Sequence, residues 1–139
     1  MKNLRNILPN ERVKPMWVMF NENPAGRSVG DCAIRALSVA LGVDWETAYL
    51  LTAVNGFYMG DIQNSNSVWG SVLRQHGFKR YNLPADCPDC YTVKDFCAEH
   101  PHGIYVLGIG NHVVTAVDGD YYDAWNSGDE VVSYVWYRE

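Results

Sequence analysis

Apolar residues recur at helical spacing through the first part of the chain and at strand spacing through the last. Ile34, Leu37 and Leu41 fall at i, i+3 and i+7, which predicts a helix from about Asp31 to Leu41, with Gly42 just past its end. Asp44 can cap a second helix whose one side carries Trp45, Ala48, Tyr49 and Thr52, and Asn55-Gly56 closes it. The polar stretch Asp61 to Asn66 reads as a loop. A third helix then covers about Ser67 to Gln75, with Val68, Val72 and Gln75 in register and Gly77 as its stop. Thr92-Val93-Lys94-Asp95 has the form of a capping box with Asp in place of Glu, and opens a short helix to about Glu99. Beyond Pro101 the period changes. Ile104 to Leu107, His112 to Val117, Tyr121 to Trp125 and Val131 to Tyr137 read as strands, with hairpin signals at Asp118-Gly119-Asp120 and Asn126-Ser127-Gly128-Asp129. Upstream, Met16 to Phe20 is a short apolar run that predicts a strand, and residues 21–27 are rich in turn formers. Helices first and an antiparallel sheet last predict an α+β domain over residues 16–139, preceded by a loosely held arm at 1–15.

Composition supports a packed core: 47% of the 139 residues are hydrophobic, with five Trp and nine Tyr. The net charge is -5 and both signs are mixed along the chain. There is no basic stripe for nucleic acid and no basic amphipathic helix for a membrane surface, so neither is expected as a partner. No apolar run approaches the ~20 residues of a membrane span, and the first residues lack the apolar core of a signal peptide. These readings predict a cytoplasmic protein, whose four cysteines are free or metal-bound rather than a disulfide framework.

The sharpest chemistry lies at Gly30-Asp31-Cys32. A thiol attacks as the thiolate, and a helix N-terminus or a nearby imidazolium lowers its pKa. Cys32 opens the first helix, where its own N–H can face an oxyanion, and Gly30 gives the chain freedom to turn and lets a substrate approach. His112 begins a strand and can serve as base. The hairpin around Gly119 pairs positions whose numbers sum to an odd value, so even positions of the first strand share a face with odd positions of the second. His112 and Asp123 therefore lie on one face, a diagonal step apart, whereas Asp118 sits further away at the turn. Trp125 shares that face, where it would shield the pair from water. A buried cysteine or a strand histidine is ordinarily core, and Asp123 can instead cap the turn that follows it. It is the order Cys, His, Asp together with the parity that singles the three out. Trp125, Tyr134, Trp136 and Tyr137 read as sheet packing before they read as a peptide groove.

Cys87-Pro88-Asp89-Cys90 is a C-x-x-C, and Cys97 and His100 follow. Cys87, Cys90, Cys97 and His100 have a spacing that would allow zinc, against which Cys97 falls on the apolar side of its helix with Val93 and Phe96. A redox dithiol and a proline turn with two incidental thiols are the other readings.

Gly30-Asp31-Cys32 with Arg35-Ala36-Leu37, then His112-Val113-Val114, then Gly119 to Trp125 resemble the papain-like superfamily of cysteine peptidases, in particular its small C39-type bacterial and phage domains. The resemblance spans about residues 21–137. It implies a papain-like fold and a cysteine peptidase or isopeptidase in which Cys32 is nucleophile, His112 base and Asp123 orienter. A peptide or protein is the implied substrate, and no cofactor is needed. Such enzymes carry a Gln shortly before the cysteine to complete the oxyanion hole. Here position 26 is Gly, and Asn21, Asn23 or Ser28 must substitute, Asn23 being preferred because a side-chain amide can donate. The departure keeps a second expectation open, a catalytically degenerate binding module on the same scaffold.

Overall fold

The computed structural model describes residues 14–84 and 90–139. Residues 1–13 of the predicted arm (1–15) and Cys87 lie outside them. Along the described chain run β1 (Trp17–Met19), α1 (Cys32–Leu41), α2 (Trp45–Met59), α3 (Asn66–Gln75), β2 (Lys79–Asn82), α4 (Val93–Glu99), β3 (Ile104–Ile109), β4 (His112–Val117), β5 (Asp120–Asp123) and β6 (Tyr134–Tyr137). The class is mixed α+β. No helix among the described residues is long and apolar enough to cross a membrane.

Local signals set most of these boundaries. Gly42 ends α1 in a left-handed conformation (φ 65°), and its N–H returns to the carbonyls of Ser38 and Val39. Asp44 caps α2 by accepting from the Thr47 N–H at 2.8 Å. The Thr92–Asp95 capping box is present in both directions. α2, however, runs through Asn55-Gly56 and stops at Gly60. Gly56 is no terminator: a Cβ there would lie 3.0 Å from the Asp61 carbonyl oxygen and 3.2 Å from the Gln63 Cα. The glycine lets the 61–63 loop lie against the helix.

The strands form one sheet in the order β1-β5-β4-β3-β6-β2. It is mixed rather than antiparallel, because β1 pairs with β5 in parallel. A parallel pair needs a crossover, and here everything from α1 to β4 provides it. Asn126–Asp129 is likewise no hairpin. β5 has β4 on one edge and β1 on the other, so the chain leaves it and returns as β6 beside β3. β2 comes from the polar run Lys79–Asn82, exposed throughout, and is added to the far edge by pairing with β6.

Alternation along the strands builds two cores. Val106, Val113, Tyr134 and Trp136 pack with Leu37 of α1, Ala48 of α2 and Trp69 and Leu73 of α3. Leu107, Val114, Ala116 and Val135 pack on the opposite face with Val93, Phe96 and Cys97 of α4. Helices therefore cover both faces of the sheet. A buried polar fastening fixes α1 on β4: the Thr115 hydroxyl donates to the Ala36 carbonyl at 2.7 Å. The outer side of α2 stays bare, with Phe57 and Tyr58 each 81% exposed and Leu50 and Val54 beside them.

Candidate active site

His112 is the first residue of β4 and Asp123 the last of β5, so both stand at the end of the hairpin away from the Asp118–Gly119 turn. The register Thr115↔Tyr122 and Val117↔Asp120 sums to an odd number, as the parity requires. The side chains meet: His112 Nε2 lies 2.6 Å from Asp123 Oδ2. Nδ1 is then the nitrogen left for Cys32, which shares a cavity wall with His112 and Val113 and whose thiolate both of them favour. Asp118 takes no part. It turns the hairpin at φ 49° and accepts the Gly103 N–H at 2.9 Å. Trp125 lies over the imidazole with ring centroids 4.9 Å apart, covering one side of it.

Electrostatics follow from this contact. Burial works to raise the Cys32 thiol. The hydrogen bonds from His112 and Val113 and the charges of His112 and Arg35 outweigh it, and the pKa is lowered. Burial also works against the imidazolium, but hydrogen bonds and charge from Asp123 and Cys32 lift His112 to about 9. The two shifts describe one thiolate–imidazolium pair.

Asp123 is 1% exposed and fully occupied. Oδ2 accepts from the Ser127 hydroxyl at 2.7 Å as well as facing His112, and Oδ1 accepts from the Ala124 N–H at 2.8 Å. Oδ2 thus holds both His112 and Ser127, a residue of the turn that follows β5, while Oδ1 holds the next backbone N–H. Arg35 Nη2 stands 3.5 Å from Oδ1, and its Nη1 is paired with Asp31. Asp31, at the N-cap of α1, does not cap it. Its carboxylate is spent on Arg35 and on the Trp45 indole N–H, 2.9 Å away. The first-turn N–H groups, that of Cys32 among them, therefore carry no side-chain cap and remain open to an oxyanion. One buried guanidinium joins the start of α1 to the carboxylate behind His112.

The thiol opens on a cavity of about 150 Å³ lined by Cys32, Asn64, Asn66, Trp69, Asn111 and Tyr134 among others. Asn23 is not among its lining residues. The Asn23 side-chain oxygen Oδ1 accepts from the Ala25 and Arg27 N–H groups (2.9 and 3.2 Å), so the residue shapes its own turn. An amide that sequence reasoning missed stands in the thiol cavity instead. Asn66 opens α3, and the buried Trp69 indole donates to its Oδ1 at 3.1 Å, which leaves its NH₂ as the free end. Its approach to Cys32 depends on how α3 packs, and no local signal marks it. Gly30 does not adopt a positive φ, and a Cβ on it would meet nothing within 4 Å. The chain does bend there, the Asp31 N–H donating back to the Val29 carbonyl at 2.8 Å, and the space beside the bend is open.

The alternative metal set does not converge. Cys90 is disulfide-bonded, against the expectation that every thiol is free or metal-bound. Cys97 is 1% exposed in the α4 core. His100 stacks on Phe96 with centroids 4.0 Å apart, and its Nδ1 faces the Phe96 carbonyl. No group of three or more His, Cys, Asp or Glu able to hold a metal occurs among the described residues. The aromatic cluster divides: Trp136 is core, Tyr134 lines the thiol cavity and Trp125 covers His112. Comparison of the chain with protein-family models, curated proteins and solved structures finds no match to any of them.

Proposed function

We propose that the protein is a thiol hydrolase of papain-like arrangement, acting on a peptide or isopeptide bond through Cys32, His112 and Asp123. The observation that carries the reading is the His112–Asp123 contact at 2.6 Å beside a cavity that Cys32 and His112 line together, with the thiol pKa lowered and that of the imidazole raised. The Cys32 thiolate attacks the substrate carbonyl carbon, and the carbonyl π pair becomes an oxyanion held by the Cys32 N–H and the Asn66 amide. His112, charged at the start, gives its proton to the leaving nitrogen as the C–N bond breaks. A thioester remains on Cys32. Neutral His112 then takes a proton from water, hydroxide adds to the thioester, and the C–S bond breaks to release the acid and restore the thiolate. Asp123 keeps the imidazole turned toward the sulfur and balances its charge. With an amine in place of water, the same residues perform acyl transfer.

One observation favours the second reading, a binding module without turnover: the segment before the cysteine supplies no amide to the thiol cavity. Iodoacetamide alkylation of Cys32 across pH, resolved by peptide mass spectrometry in wild type and His112→Ala, separates the two. The hydrolase reading expects a midpoint below the ordinary thiol range that moves up in the variant. An ordinary midpoint, unchanged by the substitution, overturns it.

A further inference from the structure

A second cleft, of about 330 Å³, adjoins the thiol cavity, and Asn64 lines both. Its walls include Val29 and Gly30, just before the nucleophile, and Trp45 and Tyr49 of α2, with Arg27 beside them. Three features give it a chemical character. The first is a fixed aromatic wall. The Trp45 indole is pinned by its hydrogen bond to Asp31 and stacks on Tyr49 with centroids 5.1 Å apart and planes 26° apart. Nothing in that wall must reorganise to receive a flat ring. The second is its charge. Asp31 also lines the cleft, but its carboxylate is already shared between Arg35 and Trp45. The Arg27 backbone is held by Asn21 and Asn23, while its guanidinium has no protein partner among the described residues. The uncommitted charge of the cleft is therefore positive. The third is room: at Gly30 the space above the backbone is open, where a substrate main chain can pass from one cavity to the other.

We propose that this cleft is the specificity site of the thiol hydrolase and takes a peptide segment in which an aromatic residue adjoins an acidic one. The aromatic ring stacks against Trp45 and Tyr49, and the carboxylate pairs with Arg27, whose planar fork suits it. The inference rests on the reading of Cys32 as the reacting group, yet its test needs no turnover. The full chain carrying Cys32→Ala is titrated by calorimetry with blocked decapeptides of Gly and Ser. Their central pair is Phe-Glu, Glu-Phe, Ala-Glu, Phe-Lys or Ala-Lys.

The better of the two Phe/Glu orders binds about tenfold more tightly than Ala-Glu and than Phe-Lys, a modest figure for one stacked ring or one charged pair. Tyr49→Ala, at a position already 41% exposed, removes the preference for Phe over Ala. Arg27→Glu reverses that for Glu over Lys. Equal affinities, no measurable binding, or preferences that survive both substitutions overturn the proposal. The alkylation profile of Cys32 is read separately. A reactive thiol with no peptide preference removes the cleft alone, and a peptide preference beside an ordinary thiol makes the same cleft the site of a binding module.

Discussion

At the scale of single residues, two charges decide what Cys32 can do. Its pKa is lowered and that of His112 raised to about 9, so the ion pair exists between them and fails on either side. As pH falls, the thiolate takes a proton and the nucleophile is lost. As pH rises through about 9, His112 loses its proton, the one that the proposed reaction delivers to the leaving amine. Turnover is expected to be bell-shaped with its alkaline limb near 9, whereas alkylation, which needs no general acid, keeps its rate above that limb. Steady-state rates and labelling rates over one pH series show the divergence. A labelling rate that falls in parallel with turnover would contradict the assigned roles. Arg35 is the other deciding charge. It is 7% exposed between carboxylates at 5% and 1%, Asp31 and Asp123. Arg35→Met leaves the Asp31 carboxylate buried without its cation, while Asp123 keeps His112, and costs about 3–5 kcal/mol by the usual penalty for breaking a buried pair. Urea unfolding measures it, and a loss under about 1 kcal/mol would mean that water already reaches the pair. The pairing of His112 with Asp123 was legible in the chain because parity along a hairpin is a local rule. Asn66 was not, because its place beside the thiol comes from helix packing across more than thirty positions of sequence.

At the scale of elements, the informative residues are those where a side chain is missing. Gly108 in β3 lies under Tyr134 of β6, and a Cβ there would come within 2.0 Å of the ring. That ring also stacks on Trp69 and lies under the Arg80 guanidinium, 4.0 Å away, so it has no easy retreat. Gly108→Ala should cost about 1–3 kcal/mol as overpacking. It should also change the alkylation rate of Cys32, because Tyr134 lines the thiol cavity. A melting temperature equal to that of wild type would show that the sheet opens there more readily than its contacts imply. The same reasoning explains where sequence reading stopped short. Caps at Asp44 and Thr92 speak for themselves through bonds three residues away. Gly56 looks like a helix stop because the loop that presses on it is invisible in the pattern. Lys79–Asn82 looks like a poor strand because no apolar alternation marks it. What makes it a strand is the open edge of β6, a partner more than fifty residues away.

At the scale of the whole molecule, the sheet joins the start of the described chain to its chemistry. β1 is three residues long and mostly exposed, and everything from α1 to β4 is the crossover that brings the chain back to it as β5. It nonetheless holds the strand that carries Asp123. The Phe20 N–H and the Trp17 indole both donate to the Asp123 carbonyl at 2.9 Å, and the Tyr121 N–H donates to Met16 at 3.1 Å. Short edge strands open at lower free energy than a core built on both faces of a sheet. Once β1 lifts, the aspartate backbone loses two donors, and the imidazole loses the exact bearing that keeps the thiol ionised. Urea should therefore quench Cys32 labelling at neutral pH before far-UV circular dichroism reports any melting, and coincident midpoints would refute this. The domain would go chemically silent while still folded. Its weakest strand would act as a fuse, and thermal inactivation would report the grip of that edge rather than the strength of the core.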